Sequence, residues 1–306
     1  MVPVAAEIKK AVSIPVGAVT YMDPARDPEF LERLIASGEL DFILMNRPLS
    51  VDYDYLHKLE EGRIDEIRPC TRCMHCHWDA ADDGNLTFSC RTNAAHPFRF
   101  VTGQLTGSYD PEPAATAKNV VVVGAGPAGL EAARVAAERG HSVTLYEKKG
   151  SVGGLLEFAN NVKGPHENLS VLRSYFERQM EVLGVNVMLN TEATADIIAE
   201  ASPDIVIAAT GGVRDTLGLS DTAGTKVVGI DDFMMADIAE EVVIVGSNVQ
   251  AIDAAMYLLA QGKHVQVVTP NAASAIGAGH SFWVKTFTQP NMKALGVRFW
   301  PEATVT

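Results

Sequence analysis

Val120-Val121-Val122-Val123-Gly124-Ala125-Gly126-Pro127-Ala128-Gly129 is the stretch that decides the fold. Four β-branched residues in a row suit a strand buried on both faces. The glycines that follow are spaced G-x-G-x-x-G. Gly124 permits a tight turn, Gly126 lets a pyrophosphate approach the backbone, and Gly129 allows close packing of helix on strand. The spacing predicts a helix over 128–139, stopped by Gly140-His141, whose positive end meets phosphate. Such a pattern alone is weak. Here it is followed by a second strand over 142–146 ending at Glu147, where an acid binds ribose hydroxyls.

Further along, Val242-Val-Ile-Val-Gly246 leads into Ser247-Asn248-Val249-Gln250-Ala251, a damaged copy of the same signal. Asn248 stands at the middle glycine position, where a side chain obstructs the pyrophosphate, and Ala251 stands at the third. The next strand, over 265–268, ends at Thr269 and not at an acid. Two readings stay open: a weak NAD(P)H site, or a Rossmann-shaped domain that holds no nucleotide, which the missing groups favour.

All four cysteines lie before these units. Cys70, Cys73 and Cys76 are separated by two residues each, and Cys90 follows after a gap. Three thiolates on one loop each reach a different iron of a cubane, and the distant fourth closes the site. A zinc knuckle is the competing reading, with His75 or His77 replacing a thiolate. Zinc sites usually come as two separated pairs, so the three-plus-one grouping favours a four-iron–four-sulfur cluster. His75, His77 and Trp78 read as residues around the cluster.

Before the cysteines, residues 14–19 read as a buried strand. Asp27 caps a helix with Pro28 at its first position, Phe30, Leu31, Leu34 and Ile35 on one face, and Gly38 at its end. Residues 41–45 form the next strand, which makes one strand–helix–strand unit of a parallel sheet. Residues 50–69 are partly helical, 110–118 a Pro- and Ala-rich linker, and 214–239 a second break. The net charge of −13 argues against nucleic acid as a partner. No apolar run approaches the roughly 20 residues that span a bilayer, and no basic region followed by an apolar core marks a signal peptide. A cytoplasmic protein is expected.

With these residues in hand, the chain resembles the C-terminal part of the old-yellow-enzyme-related iron–sulfur flavoproteins, the trimethylamine dehydrogenase, histamine dehydrogenase and dienoyl-CoA reductase group. Asp41-Phe-Ile-Leu-Met-Asn-Arg47-Pro48 is similar to the eighth barrel strand with its flavin-phosphate arginine, and Glu61 to Cys70 to the lead into the cluster. Gly153-Gly154 and Ala209-Thr210-Gly211 are further marks of flavoprotein disulfide-reductase-like domains. The two-residue gap between Cys73 and Cys76, and His280 to Met292 with Phe287-Thr288 and Pro290-Asn291-Met292, resemble the amine dehydrogenase branch.

The resemblance implies an α/β chain truncated at both ends, in four parts. These are the C-terminal part of a (β/α)8 flavin barrel (1–69), an iron–sulfur segment and linker (70–117), an ADP- or FAD-binding Rossmann-like domain (118–238) and an incomplete NAD(P)-type one (239–306). Cys70, Cys73, Cys76 and Cys90 would hold the cluster, and Arg47 the phosphate of a barrel FMN. Gly124, Ala125, Gly126, Pro127, Ala128, Gly129, Glu147, Lys148, Gly154, Thr210 and Gly211 would hold ADP or FAD. The function implied is that of an oxidoreductase piece, not active alone, in which electrons from a small-molecule substrate pass from FMN through the cluster to an electron-transferring flavoprotein or similar acceptor. The intact form is expected to be a homo-oligomer. Two alternatives remain: an NAD(P)H-dependent enoate or dienoyl-CoA-type reductase, and an electron-transfer or nucleotide-binding subunit without its own substrate site.

Overall fold

The computed structural model describes residues 1–19, 21–77, 90–93, 95, 111–164, 167–212, 214, 218–221, 224–280 and 282–305. Strands β1 (Gly17–Val19) and β2 (Phe42–Leu44) pair in parallel, joined through the helix Pro28–Ala36. β1 is shorter and less buried than the sequence suggests. Val16 spends both backbone groups on Asp41, donating to its carboxylate at 2.7 Å and accepting from its amide at 2.9 Å, so the ladder starts only at Gly17. With two strands there is little to cover the sheet, and Val19, Phe42 and Leu44 remain exposed. The helix buries Leu31 and Leu34 against Ala18, Met22 and Leu40, whereas Phe30 and Ile35 of the expected face are exposed.

β3 (Asn119–Val123), β4 (Ser142–Tyr146), β5 (Asn186–Met188) and β6 (Ile205–Ala208) form an all-parallel sheet in the order β5-β4-β3-β6. Val120, Val121 and Val122 are essentially inaccessible, as the unbroken valine run requires. The helices Pro127–Glu138 and Leu169–Val182 supply Leu130, Ala133, Leu172, Tyr175 and Phe176 to the same core. Because β3 has β4 on one side and β6 on the other, the strand order reverses at the end of β3. That switch point opens a crevice at the carboxyl ends of the strands.

β7 (Glu241–Val245), β8 (His264–Val268) and β9 (Arg298–Trp300) make a third parallel sheet. Its core joins Ile252, Ala255 and Leu258 of the helix Val249–Ala260 to Met292 of the helix Phe282–Ala294. It also takes in Phe233, Val228 and Ile230 from before the expected boundary at 238/239, and Val162 and Phe158 from the helix Leu155–Lys163. The break at 214–239 is therefore in part a packing segment of the third sheet.

Candidate functional site

At the end of β3 the chain turns at Gly124 with φ +99°, where a Cβ would lie 2.5 Å from the carbonyl oxygen of Ala209. The helix begins one residue before the predicted start, with Gly126 as its N-cap and Pro127 at its first position. A Cβ on Gly129 would collide with the Gly124 carbonyl oxygen, whereas one on Gly126 would meet nothing within 4 Å. The middle glycine thus faces open space at the helix start, where backbone N–H groups accommodate a phosphate. No side chain caps that end.

Glu147 is buried at the end of β4, with Ala125 N–H donating to Oε2 at 2.8 Å and Lys149 N–H to Oε1 at 2.9 Å. Each carboxylate oxygen keeps a lone pair for a ribose hydroxyl, and the first bond fixes the acid to the glycine loop. Gly153 donates to the Ala125 carbonyl at 2.8 Å, and Gly154, with φ +53°, backs onto Gly126. Thr210 and Gly211 lie exposed on the other wall of the crevice, and Lys148 is exposed beside Glu147. The glycine loop, Gly154, Glu147 and the Thr210-Gly211 turn are thus gathered, and they fit an adenosine diphosphate group.

Cys70 is buried, and Cys73, Cys76 and Cys90 are half-buried. Arg72 and Met74 take positive φ, of 57° and 58°, a conformation uncommon for residues other than glycine. It curls the loop so that Arg72 N–H donates to Cys70 Sγ at 3.4 Å. Burial pushes the Cys70 thiol up to about 11, opposed by Arg72 N–H and Arg47, with the Cys73 and Cys90 charges raising it further. Cys76 is raised by burial and by Cys73 and Cys90. Four sulfur donors thus share one neighbourhood. Among the described residues, no group of three or more His, Cys, Asp and Glu is gathered as for a single metal ion. Four thiols are a donor set that either a four-iron–four-sulfur cluster or a zinc ion could take. His75 and His77 lie in a short 3-10 turn with Cys76, and Trp78 lies outside the described residues.

Arg47 starts the helix Arg47–Val51 and points to the cysteine loop, donating to Met74 Sδ at 3.2 Å. Its guanidinium stands 5.1 Å from the Tyr21 ring centroid, and that of Arg72 stands 4.9 Å from it. Tyr21 O–H donates to the Cys70 carbonyl at 3.1 Å, and burial raises its pKa. Tyr21 in this role is not readable from the sequence, since a lone tyrosine after a strand has no motif.

The second loop is built differently. Asn248 caps its own helix, its side chain accepting from Ala251 N–H at 3.0 Å. Thr269, at the place that Glu147 holds in the first unit, is wholly buried, its hydroxyl 3.0 Å from that of Ser247. Residues 276–280 cross this loop: Gly277 N–H donates to the Ser247 carbonyl at 2.7 Å, and Ala278 bridges Asn248. Sequence reading missed this cover, although the Gly277-Ala-Gly279 spacing is a signal of close backbone approach. Arg91, next to Cys90, donates to the Gly279 carbonyl at 2.6 Å and ties the cover to the cysteine segment.

A parallel sheet that reverses its order beside a glycine-lined helix start, with an acid ending the next strand, defines a dinucleotide-binding redox fold. Residues 118–306 match the family described as pyridine nucleotide-disulphide oxidoreductase, and the chain belongs to that family. It is 37% identical over 270 residues to the NADH oxidase of Thermoanaerobacter brockii, covering 86% of this chain and 40% of that protein. It is 31% identical over 288 residues to the N,N-dimethylglycine/sarcosine dehydrogenase of Chromohalobacter salexigens, covering 90% of this chain and 40% of that protein. A solved 2-naphthoyl-CoA reductase complex is similar with a TM-score of 0.82 at 30% identity, over all of this chain and 45% of that one. The chain spans about two fifths of the length of these curated relatives. Among the described residues no helix is long and apolar enough to cross a membrane.

Proposed function

We propose that the chain is the cluster- and nucleotide-bearing portion of a flavin- and iron–sulfur-dependent dehydrogenase of the amine-oxidising type, which hands electrons to an external protein acceptor. The observation that carries this reading is the second loop, where Asn248 occupies the helix start and residues 276–280 lie across it. A dinucleotide needs that helix start open and an acid after the next strand. Here one is filled and the other is Thr269. Among the described residues this arrangement disfavours NAD(P)H at the second loop, and the proposed reading therefore sends the electrons to an outside acceptor.

Cys70, Cys73, Cys76 and Cys90 would ligate a four-iron–four-sulfur cluster, which supplies one-electron transfer when bound. Arg72 N–H and the Arg47 guanidinium favour negative charge at Cys70. By the family resemblance Arg47, which follows β2, would hold the phosphate of a barrel FMN. Gly124, Gly126, Gly129 and Glu147 would hold ADP or the ADP half of FAD. The net charge of −13 complements an acceptor with a basic docking face, such as an electron-transferring flavoprotein.

The relationship to a protein called NADH oxidase favours a second reading, a reductase drawing electrons inward from NAD(P)H. Titration of the anaerobically purified chain with NADH and NADPH separates the two. Absence of saturable binding into the millimolar range, with about four irons per chain and ADP in the extract, is the expected result. Micromolar binding that bleaches an extracted FAD would select the reductase, and zinc without iron would remove both.

A further inference from the structure

We infer that Arg68 is the positioning residue of the cysteine set: its buried guanidinium holds the Cys90 end of the loop against the Cys70 end and fixes both to the nucleotide-binding helix. The inference rests on the cluster reading above. Arg68 lies two residues before Cys70 and is 6% exposed. Its Nη1 donates to the Thr92 carbonyl, two residues after Cys90, and also to Glu131 Oε1 at 3.3 Å, while Nη2 reaches Glu131 Oε1 at 3.4 Å. Glu131 belongs to the helix Pro127–Glu138, which starts at the glycine loop. The guanidinium stands 5.2 Å from the ring centroid of Tyr175 on the helix Leu169–Val182.

The backbone on either side is held as well. Arg68 N–H donates to the buried Asp52 at 2.8 Å, and Asn93 donates to the Val51 carbonyl at 2.9 Å. Both ends of the cysteine loop therefore rest on the segment Val51-Asp52, and Arg68 is the side chain that joins them to each other and to the nucleotide domain. A guanidinium presents several donors in a rigid fork and so serves a carbonyl and a carboxylate together. A lysine ammonium keeps the charge but not the fork. Cys90 Sγ lies 3.3 Å from Thr92 Oγ1, so a shift of Thr92 is felt at the thiolate.

The test compares the unaltered chain with Arg68→Lys, Glu131→Gln and Leu172→Ala, all purified anaerobically. Leu172→Ala is a stability control in the nucleotide core. Iron affinity is read by chelator competition, and alkylation of Cys90 by iodoacetamide is read in the iron-stripped chain by mass spectrometry. Arg68→Lys is expected to bind iron about 10–100-fold more weakly, the usual effect of losing a group that orients a ligand, and to expose Cys90 to faster alkylation. Its reduced cluster should also give a shifted paramagnetic resonance spectrum. Glu131→Gln should weaken iron binding by a smaller factor, and it decides the matter if Arg68→Lys does not fold. Leu172→Ala, at a comparable loss of melting temperature, should keep both iron and Cys90 protection. Unaltered iron affinity and alkylation in the Arg68 and Glu131 variants would overturn the inference, as would an equal loss in Leu172→Ala. An unaltered chain without iron would overturn the cluster reading alone, and the Cys90 alkylation ratio would then decide the role of Arg68.

Discussion

Gly126, the N-cap, and Gly129, in the first turn of the helix it starts, stand three residues apart and answer to different partners. A methyl group on Gly129 has to displace the Gly124 carbonyl or lift the helix from β3. Gly129→Ala should cost about 1–3 kcal/mol, as overpacking does, read as a lower urea midpoint. Gly126→Ala meets only open space, so its cost should stay near the few tenths to about 1 kcal/mol of an N-cap change. Extracted nucleotide per chain should nevertheless fall sharply. Equal stability losses in the two variants would contradict the division. Glu147 shows what a motif conceals. In the sequence the strand-end acid reads as a ribose ligand; what the structure shows is that its two bonds from Ala125 and Lys149 N–H make it a brace for the loop. Likewise the cysteine spacing is legible, while the approach of Tyr21 and Arg47 to the loop, and that of Arg68 to Thr92 and Glu131, come from long-range packing that no local spacing records.

At the scale of elements, the helix Val249–Ala260 and the cover 276–280 meet around His280. This imidazole is buried, with Nε2 3.6 Å from Asp253 Oδ1. Burial lowers its pKa below the usual 6.5, and Lys163 and Arg91 add to this against the opposing pull of Asp253. The unfolded chain therefore binds the proton first. The contribution of neutral His280 to folding is present above about pH 6.5 and is lost as pH falls below it. Urea midpoints of the chain and of His280→Gln, followed from about pH 7.5 to 5, should show a steeper acid loss in the former. Parallel curves would remove His280 from the account. Strands read from valine runs appear where expected, because a doubly buried strand has one pattern. The strand expected over 14–19 is cut short because Asp41, distant in sequence, captures Val16.

Across the whole molecule, the helix Leu155–Lys163 belongs to two cores at once, with Leu156 in that of the four-stranded sheet and Val162 in that of the three-stranded one. Lys163 closes the junction, with Nζ 2.8 Å from Asp253 and 3.0 Å from Glu167. The two nucleotide-type units should therefore unfold together. Val162→Ala should lower the stability of the joint transition by about 1–3 kcal/mol. Two separate transitions in the calorimetric trace of the unaltered chain would show that the junction does not couple them. The two strand–glycine-loop–helix units were legible from their motifs, but the sharing of this helix was not, since its apolar residues carry no label for the core they join.

The cover over the second loop also bears on how freely this stretch tolerates change. With Asn248 serving its own helix and residues 276–280 laid beside it, these positions answer to packing, and under the proposed reading to no nucleotide. In a library randomised from 246 to 280 and selected for solubility alone, exposed Gln250 should accept most side chains. Gly279, whose Cβ would come within 2.7 Å of Val249, should accept almost none. The surviving variants would form a record of scaffold maintenance, with the old ligand signature worn away and the shape of its container intact.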